Sequence, residues 1–278
     1  MNTKIIIDST IDIAEMYRKD VQIVPLTIRF GDRELIDGVT VTRQKFYEML
    51  IECDALPTTS QATPAAFETE FANLNGADAI VITISSRLSG TYQSACIAAA
   101  DFPHVRVIDS QSASIGSGIL AEYAVECAKK GMPADEIAER LTNKREDVCV
   151  IALLDTLEYL KRGGRISKTV AAAGTLLNIK PVATIENGAI ALIGKARGSK
   201  QGNNLLVKKI HEIGGVDFSM PVLLGYTGVT DVFLKKYVED SRALWEDNLT
   251  NPDCVQVGSV IGTHAGPGAV VAAFFRKG

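Results

Sequence analysis

Ala79-Ile80-Val81-Ile82-Thr83-Ile84-Ser85-Ser86-Arg87-Leu88-Ser89-Gly90-Thr91-Tyr92-Gln93-Ser94 is the stretch that decides the fold class. Ala79–Ile84 is a continuous apolar strand pattern, and it passes through a hydroxyl- and glycine-rich turn into a helical pattern at Ser89–Ala100. A strand apolar on both faces that runs straight into a helix belongs to a βαβ unit with helices covering a parallel sheet. The same alternation extends both ways. Upstream, Lys4–Ile7 reads as a strand ending in Asp8-Ser9-Thr10, and Gln22–Phe30 reads as another. Gly31-Asp32-Arg33 then turns into Glu34–Gly38 as a hairpin, and Thr42–Cys53 is helical with Thr42 as its cap. Downstream, Val105–Asp109 is a third parallel-type strand, followed by helices at Ile115–Lys130 and Ala134–Lys144. Val148–Leu154 completes a first unit of four parallel-type strands.

The second half has a different pattern. Thr156–Arg162 and Thr169–Leu177 read as short helices on either side of Gly163-Gly164. Pro181–Ile185 and Ala189–Ala196 flank Glu186-Asn187-Gly188, a two-strand turn. Helical patterns at Asn203–Ile213 and Asp231–Asn248 surround a strand at Pro221–Tyr226. Val255–Ile261 and Ala269–Phe275 read as the last strands, joined by the loop Gly262-Thr263-His264-Ala265-Gly266-Pro267-Gly268. The expected architecture is α/β in two domains. Residues 1–160 form a parallel-sheet unit carrying the hydroxyl loops, and residues 161–278 form an α/β unit with a mixed sheet carrying the 262–268 loop.

Composition narrows the function classes. The 278 residues carry 29 Lys+Arg against 33 Asp+Glu, a net charge of -4, which argues against a surface built to neutralise nucleic-acid phosphates. Met1 leads directly into a short strand and the longest apolar runs are far below membrane-spanning length, so a cytoplasmic protein without a signal peptide is expected. Five widely spaced cysteines read as reduced core thiols, with no spacing that suits a metal. With 3 His, imidazole chemistry has few candidates; His104 and His211 read as structural or solvated.

The familiar catalytic and nucleotide motifs fail. Gly188–Ala196 has the wrong spacing for a phosphate-binding loop and lies in a strand pattern. Gly116-Ser117-Gly118-Ile119-Leu120-Ala121 fits the loose dinucleotide pattern but begins well past the strand end at Asp109, so its glycines read as close helix-on-sheet packing. There is no GxSxG elbow. Two hydroxyl-rich loops remain. Thr63 and Pro64 have ordinary roles in opening a helix, which leaves Thr58 through Gln61 without one. Ser85–Ser94 leaves the carboxyl end of a parallel strand at a helix N-terminus, where an anion is favoured. His264 is an unusual choice for a tight loop. Arg165 follows glycines that end a helix.

Taken with Asp8-Ser9-Thr10, Pro57-Thr58-Thr59-Ser60-Gln61, Leu88–Ser94, Val107-Ile108-Asp109-Ser110, Leu157–Ser167, Leu177-Asn178-Ile179-Lys180-Pro181 and Gly262–Gly268, the chain resembles the DegV family of bacterial fatty-acid-binding proteins along its whole length. The resemblance implies a DegV-like fold holding one long-chain fatty acid, such as palmitate, between two domains. It implies that Thr59 and Ser89 bind the carboxylate, with Ser60, Gly90 and Thr91 beside them, and that Arg165 and His264 present the head group to a partner. That partner would be a fatty-acid kinase subunit that makes an acyl phosphate for phospholipid synthesis. The chain would then be a carrier without catalytic residues, metal or cofactor, in transient contact with a membrane surface and not with nucleic acid. Ala62 departs from a frequent family Pro, and Gly198-Ser199 replaces a more basic run. The competing expectation is a free-standing kinase or phosphotransferase acting on a small hydroxy compound. Its best metal-ligand candidates, Asp8 and Asp109, read more simply as groups satisfying loop amides.

Overall fold

Four strands, β1 (Lys4–Asp8), β2 (Val21–Val24), β6 (Ala79–Thr83) and β7 (Val105–Asp109), form an all-parallel sheet in the order β2-β1-β6-β7. Ile5, Ile6 and Ile7 and their neighbours Ile80, Val81 and Ile82 are buried on both faces, which is why these strands read as unbroken apolar runs. The computed structural model describes residues 3–53, 55–166, 179–245 and 252–278. From β1 the chain passes to β2 on one side and β6 lies on the other, so a crevice opens at the carboxyl ends of β1 and β6. The Asp8 carboxylate bridges that point, accepting from the amides of Thr10 (2.9 Å) and Ile84 (2.7 Å).

The run read as one strand at Gln22–Phe30 is two. Pro25 follows β2 and has no amide to donate, and the chain leaves the parallel sheet there. It continues as β3 (Thr27–Phe30), the centre of a small antiparallel sheet in the order β4-β3-β5. β4 (Arg33–Ile36) closes the expected hairpin through Gly31 at a positive φ of 56°. β5 (Thr58–Ser60) is the hydroxyl run itself, paired Ile28 to Thr59.

Six strands form the mixed sheet: β8 (Val148–Leu153), β9 (Ile179–Glu186), β10 (Ala189–Arg197), β11 (Leu223–Tyr226), β12 (Asp253–Gln256) and β13 (Val270–Phe275). Their order is β10-β9-β8-β13-β11-β12, and only β11 and β12 run parallel. β8 therefore does not complete the parallel unit as expected. An apolar run buried on both faces looks alike in either kind of sheet, and its partner β13 comes from the far end of the sequence.

The helix α4 (Ile115–Lys129) lies between the two large sheets. Its Ile115, Ile119 and Leu120 share one core with Ile5 and Ile80 of the first and with Leu223 and Phe275 of the second. Gly116 and Gly118 permit this closeness: a Cβ would collide with Val150 at the first and with the Asp12 carbonyl at the second. The glycine pair serves packing, as expected. On the outer face of the mixed sheet, α7 (Gly198–Glu212) and α8 (Val232–Asp240) supply Leu206, Ile210, Leu234 and Tyr237 to a separate core.

The C-terminal loop is the other correction. Val255–Ile261 is not one strand, and Gly262–Gly268 is not simply a loop between strands. After β12 the chain forms a helix, α10 (Ser259–Ala265), that contains Gly262, Thr263 and His264; only Gly266-Pro267-Gly268 turns. Local β-branching at Val260 and Ile261 is overridden by packing, because Gly262 fits against Phe46 and Tyr47 of α1 (Arg43–Glu52) with no room for a side chain. The expected helix at Asp231–Asn248 ends at Asp240 and resumes as α9 (Arg242–Trp245). The expected helix at Thr169–Leu177, Ser167 and the end of the Asp231–Asn248 pattern lie outside the described residues. Cys127 is buried as expected, whereas Cys254 is exposed.

Candidate functional site

The crevice at β1 and β6 deepens into a cavity enclosed by the two large sheets, the small sheet and α10. Its volume is about 130 Å³, where a single water requires about 10–15 Å³ on the same scale, so it is far larger than a packing defect. Leu26, Val150, Ala152, Ile185, Val260 and Val271 form much of its wall. Several hydroxyl residues also line it, but their polar atoms are engaged elsewhere. Ser114 Oγ donates to Asp12 at 2.7 Å, Thr184 Oγ1 to the Val150 carbonyl at 2.7 Å, and Thr10 Oγ1 to Asp8; Thr227 Oγ1 accepts from the Ala269 amide at 2.8 Å. Along most of its length the cavity thus presents hydrocarbon.

One end differs. β5, the 85–94 turn, the segment after α6 (Glu158–Arg162) and the C-terminal end of α10 converge there. Thr59 Oγ1 lies 2.9 Å from His264 Nε2. Arg165 Nε donates to the Leu88 carbonyl at 3.2 Å and its Nη1 to the Gly163 carbonyl at 2.6 Å, which ties the guanidinium to the loop carrying Ser89. Ser89 Oγ and Thr91 Oγ1 are 2.9 Å apart, and the Thr91 amide donates to Ser89 Oγ at 3.3 Å. Gln61 packs against Gly90, where a Cβ would collide with it, and its Nε2 donates to Ser94 Oγ at 2.9 Å.

Thr59, Ser60, Ser89, Arg165 and His264 are therefore brought together on the cavity wall. Gly90 and Thr91 are not on it. They stand one layer behind: Gly90 receives Gln61, and Thr91, fully buried, accepts from the Ala62 amide and holds Ser89. The unexplained run Thr58–Gln61 pointed to Gln61 as well, and Gln61 does line the site. Thr10, Ser114 and Thr184 gave no such signal, because what their hydroxyls do depends on distant partners. Ile115 and Leu120 of α4 are buried in the core and absent from the wall. Asp109 Oδ1 accepts from the Ser86 and Gln111 amides, an ordinary loop role like that of Asp8. Among the described residues no group of three or more His, Cys, Asp or Glu side chains is placed to hold a metal ion.

His264 is uncharged at neutral pH. Burial, reinforced by the Arg165 charge, pushes its pKa down from 6.5 to about 4. Its Nδ1 is buried without a hydrogen-bond partner among the described residues, and the ring rests against Gly163, where any side chain would strike it. Thr59 and His264 have the spacing of a nucleophile and its base, but a ring with no orienting carboxylate and so low a pKa is poorly suited to take a proton. What the end can do is donate hydrogen bonds from Thr59, Ser60 and Ser89, at the N-terminus of α3 (Thr91–Ala99), to an acceptor at the tip of a long apolar molecule.

A DegV domain-containing protein of Caldanaerobacter subterraneus is 34% identical over 281 residues, covering 98% of each chain. Among solved structures, a DegV protein of Thermus thermophilus described by its fatty-acid binding superposes with a TM-score of 0.87 at 31% identity, covering 99% of this chain and 100% of its own. A stearic-acid-binding protein of Eubacterium ventriosum gives 0.86 at 26% identity, over 99% and 98% of the two chains. The family profile described as "Uncharacterised protein, DegV family" matches residues 2–277, and the chain belongs to the DegV family.

Proposed function

We propose that this protein is a carrier that buries one long-chain fatty acid in the apolar slot and presents its carboxyl group to a partner fatty-acid kinase. The observation that carries the reading is a cavity that presents hydrocarbon along most of its length and gathers Thr59, Ser60, Ser89 and Arg165 at one end. The fatty-acid-binding relatives from Thermus and Eubacterium support it.

Each buried methylene contributes about 0.8 kcal/mol, so a long acyl chain gains on the order of 10 kcal/mol before the cost of ordering it. The carboxylate needs donors, because a bare charge in a dry slot is expensive. In this reading Thr59 and Ser89 supply them, with Ser60 adjacent and Gly90 and Thr91 shaping the loop behind. Hydroxyls and one half-buried guanidinium hold the head group without locking it into a fully buried ion pair. Arg165 and the neutral His264 then face the partner, which supplies the nucleotide and transfers a phosphoryl group to the carboxylate, giving an acyl phosphate for phospholipid synthesis. The slot lies between units of residues 1–160 and 161–278, with β8 reaching from the first into the sheet of the second.

Holding and presenting are separable. His264→Ala should co-purify with fatty acid in wild-type amount yet lose at least about tenfold in acyl-phosphate formation with a fatty-acid kinase. Equal loss of lipid and turnover would place His264 in retention alone and contradict its presenting role.

A further inference from the structure

Asp12 lies outside the head-group cluster, and the slot chemistry leaves it unused. It is fully buried, and its carboxylate is a joint between three elements. Oδ1 accepts from the Gly258 amide at the start of α10 (2.9 Å) and from the Arg43 guanidinium of α1 (2.8 Å). Oδ2 accepts from Ser114 Oγ at the start of α4 (2.7 Å). Arg43 also donates to the Gln256 carbonyl at the end of β12, and Tyr47 Oη donates to the Val257 carbonyl at 3.0 Å.

Two of these contacts reach the slot from different directions. Ser114 is on the cavity wall and is held at a φ of 52°, a left-handed conformation that a non-glycine residue adopts only under constraint. α10 runs from Gly258 along the wall through Val260 and Ile261 to His264. A seven-residue helix is too short to hold its own direction, so its aim is set where it is pinned. It is pinned by Asp12 at its start, by the Phe46–Tyr47 face of α1 at Gly262, and at its end by α6 and the residue after it, where Gly163 packs on His264 and Tyr159 on Gly266. A buried ion pair is poor evidence for stability, since desolvation offsets the attraction; its better-supported use is to fix geometry.

We infer that Asp12 is a positioning residue: through Gly258 it sets the direction of α10, and hence where the His264 ring stands against Thr59, and through Ser114 it ties that ring to the acyl wall. The inference deepens the carrier reading and rests on it. A fatty acid pressing on the wall at Ser114 shifts the same carboxylate that aims His264, so an occupied tail is registered at the head.

The chain has 3 His, so selectively 15N-labelled histidine gives a spectrum with one set of ring signals per residue. Full-length wild type and Asp12→Asn are titrated with and without palmitate, with thermal midpoints recorded separately. In Asp12→Asn the His264 ring signals move and its titration midpoint rises by about one pH unit toward the ordinary value, while the ring signals of His104 and His211 at neutral pH stay where they are in wild type. Ser114→Ala, which breaks only the wall arm, leaves His264 in place in the free protein but diminishes the change that palmitate causes in wild type. A folded Asp12→Asn protein whose His264 signals match wild type with and without palmitate overturns the inference. If Asp12→Asn does not fold, Arg43→Gln, at a partly exposed position, decides in the same terms. Failure of wild type to bind palmitate would sink the carrier reading, while the free-protein spectra would still judge the link from Asp12 to His264.

Discussion

At the residue scale, His264 makes the clearest statement about conditions. Its pKa is near 6.5 in the unfolded chain and about 4 in the folded one, so the folded state refuses a proton that the unfolded state accepts between those values. Its contribution to stability is fully present above pH 6.5 and is lost as pH falls through about 4. His264→Gln should therefore lose less thermal stability than wild type between pH 7 and pH 4; parallel losses would show that the ring is not desolvated as described. The run holding Thr59, and His264, stood out in the sequence because local structure had no use for them; Ser89 and Arg165 were singled out as individual residues by the family resemblance. Gly90 and Thr91 were legible as neighbours only. Which hydroxyl faces the cavity and which braces it from behind is decided by Gln61 and Ala62, which lie about thirty positions away in the chain.

At the element scale, α4 carries a line of residues at helical spacing, Ser114, Gly118 and Glu122, along which the chain from Asp12 to Ala14 runs. Ser114 Oγ meets the Asp12 carboxylate, Gly118 clears the Asp12 carbonyl, and Glu122 Oε1 accepts from the Ala14 amide at 2.8 Å. Burial pushes the Glu122 carboxyl up from 4.5 to about 7, so ionising it costs the fold about 3 kcal/mol, a price set by desolvation. The sign is opposite to that of His264: stability is fully present below pH 4.5 and is lost as pH rises through about 7. Glu122→Gln keeps an oxygen for Ala14 and cannot ionise. Its thermal midpoint at pH 8 should exceed that of wild type, and an unchanged or lower midpoint would refute the buried-acid description. Elements whose pattern is local, such as α1, the β3–β4 hairpin and α4, could be read from sequence. β8 and α10 could not, because β13 decides the sheet of the first and α1 with Asp12 decides the helicity of the second.

At the scale of the whole molecule, two sheets share one helix and leave a slot beside it. α4 fills the space between the sheets along part of their length, and past its N-terminus, at Ala113 and Ser114, the same space is left open as the cavity. The turn that leaves β6 brings Ser89 to the polar end of that cavity. The α/β architecture was visible in the alternation of strands and helices, but the division between the two large sheets falls before β8 and not after residue 155, where the pattern changes. The slot was expected only through the family resemblance and not from the strand and helix pattern, since it exists where elements far apart in sequence stop short of each other. Among the described residues no helix is long and apolar enough to cross a membrane.

The central claim is that this slot is filled by one acyl chain held at Thr59 and Ser89. Native mass spectrometry of the protein as purified from its expression host, followed by release and identification of the bound molecule, tests it directly. One long-chain fatty acid per chain in wild type, and most of it lost in the Thr59→Ala, Ser89→Ala double variant, is the predicted result. A nucleotide or metal ion in place of lipid, or equal lipid in wild type and variant, would contradict the account.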